Sequence, residues 1–240
     1  MTIRQCVVCG FLCFSLILLC STTWGISREE ETSSGPYQTT LGLKELLNIG
    51  ILNAVKLVGI EDGYYKNEAI KILMPEKLKK VDTFIRKFGG KELSDTFIKK
   101  MNRTAEKAAP LAKDIFIEAI KNIKFHDVRS LLSGKENAAT EFLETNTSET
   151  LKSTFYPIVK KTMEEIEAIK AYNQYIGKYS SNPFTKSLGL ELDISQYVTD
   201  KAIDGLFIMV AKEEKKIRED PVARVTDLLK SLFGKKKEVD

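Results

Sequence analysis

Past residue 25 the chain has no cysteine and no tryptophan, because Cys6, Cys9, Cys13, Cys20 and Trp24 all precede Ile26. If that first segment is removed, thiol catalysis, thiolate metal sites and disulfide staples are excluded together, and the core alone must hold the fold. His126 is the only histidine in 240 residues. A di-metal helical bundle wants paired Glu-x-x-His motifs, so a metal site is not expected. There is no glycine-rich phosphate loop, and no cofactor is expected. Charge of one sign is lacking too: the formal net charge of +4 is spread over intermixed Lys, Arg, Asp and Glu, which is no nucleic-acid footprint. No strand pattern, fixed-period repeat or linker long enough to force two domains appears.

What is present begins with an export-signal pattern: Arg4 gives a short basic opening, Cys6 to Cys20 is almost wholly apolar, and Ser21 to Gly25 is a small, polar exit. Residues 1–25 therefore read as a secretory signal peptide, with an uncleaved anchor or a lipoprotein signal as weaker fits. The mature chain is then secreted, or periplasmic in a bacterium, with no transmembrane segment left. Residues 26–39 read as a flexible N-terminus, 40–234 as an all-α domain of about seven to nine helices, and 235–240 as a charged tail.

Three- and four-residue spacing of Leu43, Leu46, Leu47, Ile51, Ala54, Val55 and Val58 predicts a first core helix over 41–58. The loop from Glu61 to Asn67 lacks the spacing of a calcium loop. Pro75 opens a second helix whose buried face is Leu78, Val81, Phe84, Ile85 and Phe88, stopped by Gly89-Gly90. Phe97, Met101, Ala105, Ala108, Ala112, Ile115, Ala119 and Ile123 make a longer stripe that survives Pro110, as one kinked helix or two meeting there. Short helices follow at 127–132 and 135–143. A long pattern through Pro157 then runs towards Tyr172, Tyr175 and Tyr179, with Asn146 and Glu149 as its capping box. The tyrosine stripe reads as core or amphipathic surface before it reads as a stacking platform.

The most patterned stretch is 197–234. Ile203, Leu206, Phe207, Val210 and Ile217 fall on one face of a helix starting near Asp193 or Thr199 and ending at Pro221. Glu214 lies inside that stripe with Arg218 one turn on. The spacing is met by a helix end leaving the core with both charges solvated, or by a partly buried pair that shapes a site. Val225, Leu228, Leu229, Leu232 and Phe233 predict a last short helix. Beside Lys235, Lys236 and Lys237 it has some membrane-surface character, although docking on the body is the commoner outcome.

The runs Asn102 to Pro110, Lys201 to Phe207 and Glu213 to Arg218, followed by Pro221, Arg224, Thr226 and Asp227, carry a resemblance. Together with Ala138-Ala139-Thr140, Pro157 and Tyr172 they resemble a mainly bacterial exported family, domain of unknown function 4197, from about Leu41 to Gly234. The resemblance implies an export signal and a helical body, and adds no reaction, cofactor or partner. Thr104 creates a glycosylation sequon at Asn102, and Asn146 heads a second, two possible N-glycosylation sites.

Polar candidates gather in the same runs: Asn102, Arg103, Glu106, Lys107, Asp204, Glu213, Glu214, Arg218 and Arg224. They can line a polar groove between helices, or cap and clamp the bundle around Pro110 and Pro221. Glu106, Asp204, Glu213 and Glu214 can also supply the paired carboxylates of a hydrolase. His126 next to Asp127 makes no triad by itself. The leading expectation is a secreted helical protein that binds an apolar small molecule or an extracellular macromolecule. A structural matrix protein and a carboxylate-based hydrolase are the alternatives.

Overall fold

The computed structural model describes residues 34–122, 124, 128–180 and 192–234. Among these are eight α-helices and no strand: α1 Ser34–Val58, α2 Glu76–Lys87, α3 Lys91–Asn122, α4 Val128–Ser133, α5 Ala138–Glu165, α6 Ala168–Ser180, α7 Ile194–Glu219 and α8 Asp227–Gly234. A short 3-10 turn, Pro221–Ala223, joins the last two. No described helix is long and apolar enough to cross a membrane. The expected signal peptide, His126, the 181–191 connection and the lysine tail lie outside the described residues.

The axis of the bundle is α7, which packs on α5 and α1, while α3 packs on α5, α1 and α6. The α7 stripe of Ile203, Leu206, Phe207, Val210 and Ile217 is buried, as is every apolar position expected in α1. Asp193 caps α7 by accepting a hydrogen bond from the Gln196 backbone N–H. At the far end Pro221 stops the helix, because it cannot donate the next backbone bond. Pro110 and Pro157 do not divide their helices: α3 and α5 run through both.

Several boundaries differ from the sequence reading. Helix α1 begins at Ser34, six residues ahead of the expected body. The 135–143 segment and the long helix after it are one element, α5. Asn146 does not cap anything there; its Nδ2 donates to the Phe142 carbonyl one turn back. The long pattern instead breaks at Glu167, whose φ of 58° starts the turn into α6. Val225 precedes α8 and is exposed.

Two departures matter for function. The α3 stripe changes step after Ala112, so that Phe116 and Ile120 are fully buried while Ile115 and Ala119 are only half-buried. Steps of four residues overshoot the 3.6-residue turn, and this drift rotates the apolar face along so long a helix. In α2, Leu78, Val81 and Ile85 are buried, but Phe84 is half-buried and Phe88 is 63% exposed. Gly89, with φ of 84°, turns the chain at that point and leaves Phe88 on the corner.

Candidate functional site

Six of the nine polar candidates are brought into two networks, both anchored on backbone groups. On α7, Glu214 is 0% exposed. Its carboxylate accepts from the backbone N–H of Ala139 at 3.0 Å, from the backbone N–H of Thr140 at 2.8 Å and from the Thr140 hydroxyl at 2.6 Å. These N–H groups belong to the first turn of α5, whose N-cap residue Asn137 makes no side-chain cap of its own. Glu214 therefore caps α5 from another helix, with its charge at the positive end of the α5 dipole.

Arg218 completes the arrangement. It pairs with Glu214 at 2.7 Å and donates to the Leu131 and Leu132 carbonyls at the end of α4, at 2.8 and 2.9 Å. One i, i+4 pair thus closes the end of α4 and the start of α5 at once. The expectation that both charges are solvated fails here, because only burial lets them reach those backbone groups. Arg224 extends the network, donating to the Ile217 and Arg218 carbonyls at the end of α7, and both arginines lie over the Phe233 ring. With Leu229 buried and Leu232 against Gly42, the apolar face of α8 is turned into the body.

The second network is on α3. Asn102 is fully buried; its Oδ1 accepts from the Ile72 N–H and its Nδ2 donates to the Ile72 and Ile98 carbonyls, all at 2.8 Å. Glu106, one turn on, accepts from the N–H groups of Tyr64 and Tyr65 and pairs with Arg103. Arg103 also reaches Glu61 and Asp62. Together they fasten the irregular 59–75 segment along α3. A glycan on Asn102 has no place in this fold, since its Nδ2 is buried and used twice, which corrects that possible site. Asn146 is exposed.

Tyr64 ties the same segment to α7. Its hydroxyl donates to the Ala202 carbonyl at 2.7 Å, and burial, then the charges of Glu106 and Asp204, push it far above the usual tyrosine range. Gly205 makes room for the ring, for a Cβ there would stand 2.7 Å from Tyr64 Cε1. Asp62 titrates below its ordinary value, held first by Lys66 and then by Arg103.

The remaining candidates have separate partners. Glu213 accepts from Asn53, Lys107 pairs with Glu165, and Asp204 pairs with Lys152 and Lys201. Each carboxylate of the hydrolase alternative is thus engaged within its own network. Among the described residues no His, Cys, Asp or Glu group is arranged to hold a metal.

A well-formed concavity lies elsewhere. A groove of about 690 Å³ runs between the second half of α3 and the middle of α5, with Ile115, Ala119 and Leu151 among its lining residues, Asn122, Asn146 and Thr150 beside them, and the charged Asp114, Glu118 and Lys124 also in its lining. It borders the half-buried Ile115 and Ala119 that the changed step of α3 leaves away from the core. Thr147 and Thr154 also line it, and their hydroxyls are engaged by the Leu143 and Thr150 carbonyls of their own helix. The walls therefore offer fewer polar groups than their composition suggests. Of these residues the sequence singles out Asn146, for capping and as a sequon, but gives no sign of a groove, because Ile115 and Ala119 fit the core stripe; the run of threonines from Thr145 to Thr154 is the available signal.

No curated protein and no solved structure matches this chain. The family model described as "Protein of unknown function (DUF4197)" matches residues 34–234, from the first residue of α1 to the last of α8, and the chain belongs to that family.

Proposed function

We propose that this chain is an exported binding module that holds an elongated apolar molecule in the groove between α3 and α5. The observation that carries the reading is the groove itself: about 690 Å³, within the usual size of small-molecule sites, with Ile115, Ala119 and Leu151 on its walls, the hydroxyls of Thr147 and Thr154 already engaged, and Asp114, Glu118 and Lys124 as its charged lining. The signal-like first segment supports an extracellular or periplasmic setting, where an apolar molecule needs a carrier or receptor. The Glu214 and Asn102 networks are framework in this reading, and they hold still the helices that form the groove.

The test is titration of the purified chain with the fluorescent apolar probe N-phenyl-1-naphthylamine. Saturable enhancement is expected, and it is lost in Ala119→Trp, which fills the groove, and weakened in Thr150→Lys, which puts a charge at its edge. Both variants should keep the wild-type melting temperature, since neither touches the buried networks. Absence of saturable binding, or full binding by folded Ala119→Trp, would overturn the proposal.

A further inference from the structure

The corner where α2 turns into α3 concentrates charge that the rest of the chain spreads out. From Glu76 to Lys91 there are six basic residues, Lys77, Lys79, Lys80, Arg86, Lys87 and Lys91, against Glu76 and Asp82. That net of +4 equals the net charge of all 240 residues, so the remainder of the chain is neutral overall. Lys79 and Arg86 are engaged by Glu76, Asp82 and Asp95. Lys77, Lys80, Lys87 and Lys91 are exposed and make no ion pair among the described residues.

The same edge carries exposed aromatic surface. On a helix, positions 77, 80, 84, 87 and 88 fall within an arc of about 100°, beside the buried arc of Leu78, Val81 and Ile85. Phe84 and Phe88 lie in this arc with ring centroids 4.5 Å apart. Phe88, 63% exposed, projects at the Gly89 turn among Lys87 and Lys91. Lysines around the protruding Phe88 ring make the pattern of a helix edge that rests in the headgroup layer, with that ring reaching the acyl boundary. A soluble polyanion would pair with the lysines and leave Phe88 in water. Base stacking is also hindered, because the two rings already pack on one another.

We propose that the α2–α3 corner docks this protein on an anionic lipid bilayer. The lysines supply attraction that acts within a Debye length of the surface, and Phe88 supplies the apolar anchor. This places membrane contact on α2, away from α8, whose apolar face is used against the body. The site shares no residue with the α3–α5 groove, so either proposal can fail alone.

Sedimentation of the full chain with phosphatidylcholine vesicles, with and without an equal part of phosphatidylserine, tests it. Binding is expected only to the anionic vesicles and weakens with added salt. Lys80→Gln with Lys87→Gln should lower partitioning at least about tenfold. Phe88→Ser should lower it with the charge intact, and Lys160→Gln with Lys161→Gln on α5 should leave it unchanged. No binding, binding indifferent to Phe88, or equal loss in the α5 control would each overturn the proposal.

Discussion

A carboxylate cut off from water is stable only where donors replace the solvent, and Glu214 has two backbone N–H groups, one hydroxyl and one guanidinium. Removing it strands the start of α5 and leaves Arg218 without its counter-charge. Removing Arg218 leaves Glu214 three of its donors. The account therefore predicts an asymmetry: Glu214→Ala costs about 3–5 kcal/mol, as for a broken buried pair, and Arg218→Ala costs clearly less. Urea unfolding of the two variants checks this, and equal or negligible losses would contradict it. The i, i+4 spacing of the pair was legible in the sequence. Its role was not, because its partners are backbone groups 74 or more residues away, which spacing on one helix cannot reveal.

At the scale of elements, the apolar stripes of α1 and α7 were readable because each keeps one step pattern along its buried length. Helix α3 was not fully readable: the choice between Ile115 and Phe116 after Ala112 depends on α5 and α7, not on local spacing. Phe88 failed for a different reason, since a face that reads as apolar needs a neighbour to cover it, and the chain turns at Gly89 first. Two buried tyrosines join elements in ways that respond to pH. Tyr64 links the 59–75 segment to α7, and the Tyr175 hydroxyl of α6 faces Asp82 of α2 at 3.4 Å. Burial first, then nearby carboxylates, raise both above the ordinary 10.0. A raised folded value means the stability they contribute is complete below the unfolded value and is lost as pH climbs past it. The urea midpoint should thus fall as pH rises above about 10. Tyr64→Phe should flatten that fall, and an unchanged slope would contradict the assignment.

At the scale of the whole molecule, the all-α class was legible from the absence of any strand pattern, and the matched family spans the same helical body. The candidate site was less legible. Most residues that stand out in sequence for their polarity serve two framework networks, whereas the groove sets Ile115, Ala119 and Leu151 among threonines and the charged Asp114, Glu118 and Lys124. We propose that division of labour: the buried charges hold the bundle, and the α3–α5 groove holds a ligand. Native mass spectrometry of the full chain recovered from secreting cells, beside Ala119→Trp prepared in the same way, tests it most directly. The account predicts a non-covalent mass on the wild type that denaturation removes and that the variant lacks. The same mass on both chains, or a bare chain in both, would contradict it.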